Sequence, residues 1–211
     1  MGLLRKFFSQ TRKPEGFLGK LMVSGMNSGH AKLADWGMSS LKGIGAESIA
    51  ELGCGGGGNA AKLLERYPKA KLTALDYSEL SVEKTKKTNQ RSIAEGRCTV
   101  LQGNVADLPF EKESFDLATA FETVYFWPGL ETCFTEVFRI LKPGGVFLIC
   151  NESDGTDETA LRFEQMIEGM KCYTIAQLSS ALKTAGFSEV TAVHHPSKPW
   201  IALLARKEKQ C

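Results

Sequence analysis

The stretch "AELGCGGGGNA", residues 50–60, places five glycines within positions 53–58. Glycine loses more backbone freedom on folding than any other residue, so a run this bare implies close approach to the main chain. The flanks supply the context. "ESIAEL" (47–52) reads as a short buried strand, and "NAAKLLERY" (59–67) as a helix that Pro68 ends. A strand, a glycine turn and a helix in that order leave unpaired N–H groups at the helix start, where a ligand can lie against backbone. Gly53, Gly55 and Gly58 also satisfy GxGxxG, a match that carries little by itself.

The next segment adds weight. "AKLTALD" (70–76) reads as a second strand ending on Asp76, which follows Gly53 by 23 positions (76 − 53). An acid there can accept from both hydroxyls of a ribose. The competing role is a helix cap before "YSELS", which Ser78 fills better. The ligand therefore contains an adenosine-like part. A long polar helix is expected from about Ser78 to Glu95. The strand-like runs "CTVLQG", "FDLATAF" and "GGVFLIC" follow, with a helix over "ETCFTEVFRIL". Strands alternating with helices predict a parallel sheet with crossover helices. Near the end, "TIAQLSSALKTAG" has Thr174 and Gln177 at capping-box spacing and stops at Gly186. "SEVTAVHH" and "PWIALLARK" are separated only by "PSK", too short for a crossover helix, so they should pair antiparallel.

In these segments the chain resembles the class I S-adenosylmethionine-dependent methyltransferases, in their small-molecule branch, from about Ile49 to Gly145. "AELGCGGG" is similar to the family's first motif and "ALDYS" to its second. "GNVADLPF" and "FDLATAF" resemble the adenine-contacting segment and fourth strand, and "FRILKPGG" the turn before the fifth. The resemblance implies a Rossmann-like α/β fold: a seven-stranded, mostly parallel sheet with a C-terminal antiparallel hairpin, helices on both faces and an N-terminal helical lid. Residues 1–45 would form that lid and 46–211 the cofactor-binding domain. S-adenosylmethionine would be the cofactor and S-adenosylhomocysteine the product. Cofactor contacts are expected from Glu51, Gly53, Cys54, Gly55, Gly57, Asp76, Tyr77, Asn104, Val105 and Phe121.

Physical readings accompany these positions. Glu51 would meet the cationic methionine amino group; as a lone acid in an apolar strand it would otherwise be a costly burial. Asn104 departs from the family's usual aspartate, and its carbonyl can still accept from the adenine amino group. Val105 and Leu108 would line the adenine, with core packing the competing role for Leu108. Tyr77 either packs on the adenosine or covers the second helix. A nicotinamide or flavin oxidoreductase is the alternative from the same fold group. Against it stand the short chain, the terminal hairpin and Glu51 beside a loop where a pyrophosphate would be repelled. A binding protein without catalysis is the other alternative.

The acceptor belongs at the carboxyl ends of the strands. There "AFETVYFWPG" (120–129) puts Glu122, Tyr125 and Trp127 on the expected rim, a mixture suited to a flat or cationic acceptor. The competing reading packs Phe126 and Trp127 under the lid. Asn151 and Glu152 should emerge at the same edge. The lid carries Asn27 and His30. His30, Glu122 and Tyr125 are the candidate catalytic residues, His30 and Glu122 as general base for an acceptor that arrives protonated.

Composition sets the remaining bounds. The chain has 211 residues, 43% hydrophobic and 24% charged, with a formal net charge of +2. That balance gives no argument for nucleic acid. The six cysteines form no CxxC pair, which suggests reduced thiols and no metal site in a cytoplasmic protein. No apolar run approaches a membrane span. The basic "MGLLRKFFSQTRK" lacks a signal-peptide core and reads as a packed helix, with weak membrane-surface contact the alternative and no stable membrane association. The partner expected is a small-molecule acceptor. Oligomeric state is unreadable.

Overall fold

The computed structural model describes residues 31–209. Helix α1 (Ala31–Ser39) precedes β1 (Ser48–Leu52), α2 (Gly58–Arg66), β2 (Lys71–Asp76), α3 (Glu79–Thr88), α4 (Gln90–Ala94) and β3 (Cys98–Gln102). Strand β4 (Phe115–Phe121) leads through a single 3-10 turn, Val124–Phe126, into α5 (Leu130–Ile140) and β5 (Leu141–Asn151). Helices α6 (Glu158–Met166) and α7 (Ile175–Thr184) and the hairpin β6 (Glu189–His194)–β7 (Ile201–Arg206) complete it.

The seven strands lie in the order β3-β2-β1-β4-β5-β7-β6. Pairings from β3 through β5 are parallel, and β7 runs antiparallel to both β5 and β6. The chain builds outward from β1 to β3 and then restarts at β4 on the other side of β1. This reversal opens a crevice at the carboxyl ends of β1 and β4, where open α/β sheets bind ligands.

The inner strands are apolar on both faces because helices cover both. One cluster, with Ala120, Phe134, Phe147, Leu178 and Leu203, seats α5 and α7. The other, with Leu33, Met38, Leu63, Val82 and Leu148, seats α1, α2 and α3. Helix α1 can lie close on β5 because Gly37 has no side chain: a Cβ there would sit 2.4 Å from Cys150 Sγ.

The hairpin and the Thr174–Gln177 capping box form as expected. The single helix expected over 78–95 is instead two, broken at Asn89. The Asn89 amide donates to the carbonyls of Gly57 and Thr85, so its side chain serves the glycine loop at the expense of helix continuity. Of the expected lid, α1 is described; Asn27 and His30 lie outside the described residues. Among the described residues the five cysteines are buried and free, and no helix is long and apolar enough to cross a membrane.

Candidate functional site

The glycine loop leaves β1 through left-handed backbone. Gly53 has φ +81°, and a Cβ there would fall 2.1 Å from the Thr123 hydroxyl. Gly55 also has a positive φ, yet a Cβ on it would meet nothing within 4 Å: the loop is open at that point. Helix α3 holds the loop in place. Thr85 Oγ1 donates to the Gly55 carbonyl at 3.0 Å, Thr88 Oγ1 to that of Gly56 at 2.8 Å, and Asn89 Nδ2 to that of Gly57 at 3.0 Å. With the carbonyls tied back, α2 starts at Gly58 behind Gly57, which offers no side-chain cap. The first N–H groups of α2 stay available.

Two acids face this loop. Asp76 is 8% exposed; one carboxylate oxygen accepts from Gly55 N–H and the other from Ser78 N–H, each at 2.9 Å. Burial pushes its carboxyl above the usual range, against those N–H bonds. The Tyr77 N–H and the Ser81 hydroxyl also favour its ionised form. Glu51 is fully buried in β1, directly opposite Thr119 of β4. One oxygen accepts from the Thr119 hydroxyl, while Oε1 has no partner. Burial raises the Glu51 pKa to about 8, against the Thr119 bond. A buried oxygen without a donor costs about 1–3 kcal/mol, which a cationic ligand group would offset.

At the end of β4, Glu122 takes φ +58°, an uncommon conformation for a residue with a side chain. Its N–H still donates to the Cys150 carbonyl of β5, and its Oε1 accepts from the Tyr125 hydroxyl at 3.2 Å and from Glu152 N–H. The Tyr125 oxygen in turn accepts from Ser153 N–H at 3.1 Å. Burial, then the neighbouring Glu152, holds the Glu122 carboxyl well above the ordinary range; burial and Glu122 push the Tyr125 phenol up.

A family model described as a methyltransferase domain matches residues 50–149, the span from the glycine loop to β5. Over that span the chain matches a methyltransferase domain, and its fold is that of the class I S-adenosylmethionine-dependent methyltransferases. The 24-methylenesterol C-methyltransferase 3 of Arabidopsis thaliana is 28% identical over 168 residues, covering 73% of this chain and 46% of that one. The chain thus spans about half the length of the curated relatives it matches. A chain of the Haloferax volcanii complex between the Trm112 methyltransferase activator and a methyltransferase superposes with a TM-score of 0.79 at 18% identity, over 89% of this chain and 94% of that one. The geranyl diphosphate C-methyltransferase of Streptomyces coelicolor, crystallised with S-adenosyl-L-homocysteine, gives 0.70 at 15% identity, over 84% and 76%.

Glu51, Gly53, Cys54, Gly55 and Gly57 follow one another along β1 and its loop, with Cys54 buried, and Asp76 at the end of neighbouring β2 reaches the loop through the Gly55 N–H. Tyr77 is 40% exposed beside them. Asn104 is exposed, and its side-chain oxygen accepts from Ala106 N–H. Val105 and Leu108 join the core cluster under α5, and Phe121 packs into the cluster under α1. Two expectations at the rim are corrected. Trp127 turns inward and stacks on Phe147 with a 6.1 Å centroid separation, because the 3-10 turn reverses the chain over α5. Its packing is against Phe134 and Phe147, on the face opposite α1. Asn151 does not emerge: it is fully buried with both amide atoms unpartnered.

The structure adds residues that sequence reasoning passed over. Thr85, Thr88 and Asn89 lie on one face of the second crossover, a polar spacing of three and four that is visible in hindsight. Glu136 and Arg139 of α5 form a bidentate pair and grip the segment after β3: Glu136 accepts from Leu108 N–H, and Arg139 donates to the carbonyls of Leu108 and Phe110. Burial works against Glu136 ionisation, but the stronger Arg139 bond holds its carboxyl below the usual range.

Proposed function

We propose that the domain transfers a methyl group from S-adenosylmethionine to a small-molecule acceptor at the carboxyl edge of β4 and β5. The observation that carries this reading is the unpartnered Glu51 Oε1, fully buried near the end of β1, ahead of the open Gly55 position whose N–H donates to Asp76. A cationic amino group and a ribose on one ligand fit those groups together; a dinucleotide pyrophosphate does not fit beside Glu51.

When bound, the cofactor supplies a methyl group on an already activated sulfonium. The chain's residues bind and orient. Glu51 takes the ammonium, Asp76 the ribose hydroxyls, and the backbone of Gly53, Cys54, Gly55 and Gly57 the close approach between them. Tyr77, Asn104 and Val105 flank the adenine, and Phe121 supports the floor from below. Glu122 is the general base for an acceptor that arrives protonated, its raised basicity supplied by burial, and Tyr125 orients it. His30, outside the described residues, is the second candidate. Holding the acceptor in line supplies most of the rate. The relatives' sterol and geranyl diphosphate acceptors support the small-molecule class. A cytoplasmic site of action fits the free thiols.

Calorimetry with S-adenosylmethionine and a screen of pooled metabolites for S-adenosylhomocysteine release test the proposal. Asp76→Asn should bind the cofactor about 10–100-fold more weakly while remaining folded. Binding without turnover on any acceptor would leave a passive binder; NAD binding in its place would overturn the cofactor.

A further inference from the structure

The cofactor crevice occupies one edge of the parallel strands. The opposite edge holds a cavity of about 280 Å³, formed where the turn before β1, the start of β4, the start of β5 and the end of β7 meet. Lys142, Arg206 and Lys209 line it around the backbone of Gly43, Gly45 and Gly144. Asp116 is the acid in the lining, and it is already engaged. It accepts from the N–H groups of Glu47 and Ser48 and from the Ser48 hydroxyl, and Lys142 pairs with it at 2.8 Å. Arg206 reaches the Gly144 carbonyl at 3.3 Å, and its contact with Glu189, at 3.7 Å, is loose and exposed. Among the described residues Lys209 has no hydrogen-bond or ion-pair partner, and its stem lies over Gly144, within 3.0 Å of where a Cβ would stand. Three cations against one acid leave the lining with an excess of two positive charges.

The bare floor needs its own reason. Gly45 does not adopt left-handed backbone, and a Cβ on it would meet nothing within 4 Å. Neither turn geometry nor packing calls for glycine there, yet glycine costs backbone entropy. What its missing side chain keeps open is the cavity. Gly43, at φ +81°, likewise faces open space.

We propose that this cavity is a second ligand site, separate from the cofactor crevice, that takes a phosphate group, either inorganic phosphate or the phosphate of a monoester. A phosphate monoester carries about −1.5 to −2 charges at neutral pH, which matches the lining, and the Arg206 fork suits its oxygens. Arg206 and Lys209 hold the anion against the Gly43–Gly45 backbone, while Lys142, anchored by Asp116, closes one wall. The site stands whether or not the domain transfers methyl groups.

The test is a titration of the isotope-labelled full chain with inorganic phosphate and, separately, glycerol phosphate, at constant ionic strength with chloride as control. Saturable amide shifts at Gly43, Gly45 and Gly144, with a Kd of about 1 mM or tighter, are expected. Saturation by inorganic phosphate alone assigns the free ion; tighter saturation by the ester assigns a phosphorylated metabolite. Gly45→Leu fills the floor without altering charge, and Lys209→Glu reverses a charge without altering the floor. Each should weaken binding at least about tenfold and leave S-adenosylmethionine affinity unchanged. If Gly45→Leu fails to fold, Arg206→Gln replaces it. Shifts that do not saturate, that chloride reproduces, or that persist undiminished in the folded variants would overturn the site.

Discussion

Glu51→Gln tests the cofactor reading at its most exposed point while leaving the glycine loop intact. In the folded protein the carboxyl is fully buried and its pKa stands at about 8, against an ordinary 4.5. Between those values the folded chain keeps a proton that the unfolded chain has lost. The folded state binds more protons, so this group's contribution to stability falls as pH rises through the window. From 4.5 to neutral pH is about 2.5 pH units; at about 1.4 kcal/mol per unit the loss is about 3 kcal/mol. Glutamine does not titrate. The stability difference between wild type and Glu51→Gln should therefore move by about 3 kcal/mol against wild type from pH 4.5 to pH 7. Taking the difference cancels the other shifted carboxyls, Asp76 and Glu122 among them. Urea unfolding of both proteins across that range reads it directly. Bound S-adenosylmethionine should hold Glu51 ionised, so its binding at pH 7 should release about 0.9 proton, seen as a calorimetric enthalpy that varies with buffer ionisation heat. A stability difference flat in pH, or cofactor binding with no proton release, would refute the reasoning.

Two further substitutions probe the neighbouring geometry. Gly53→Ala should destabilise the fold by more than the ~1–2 kcal/mol of left-handed backbone alone, because its methyl would strike the Thr123 side chain, Cβ included; adding Thr123→Gly should recover the excess, and full recovery of stability would show that φ is not the constraint. Tyr125→Phe removes the oxygen that accepts from Ser153 N–H and donates to Glu122, so a loss of about 1–3 kcal/mol is expected with lower turnover and unchanged cofactor affinity; undiminished turnover would separate Tyr125 from the acceptor edge.

Much of this was legible in local sequence. The glycine turn between strand and helix, the acid ending β2, the Thr174–Gln177 cap and the three-residue link of the last hairpin are each set by contacts within a few residues. The errors have a common source. The helix over 78–95 reads as continuous from its own polarity, and what breaks it is a carbonyl of the glycine loop, 32 residues away. "VYFW" reads as an aromatic rim, and only the reversal of the chain after β4 decides that Trp127 enters the core while Tyr125 meets Glu122.

The sequence by itself determined the order of strands and helices, the cofactor loop and the identity of the acid at the end of β2, because backbone freedom, capping and periodicity act over short spans. Only the tertiary structure decided that Thr119 would face Glu51 across 68 residues, leaving one oxygen unpaired, and that Lys142, Arg206 and Lys209 would gather at the far edge of the sheet. Those are matters of strand register and crossover, and a shift of one residue would turn each of these side chains to the other face.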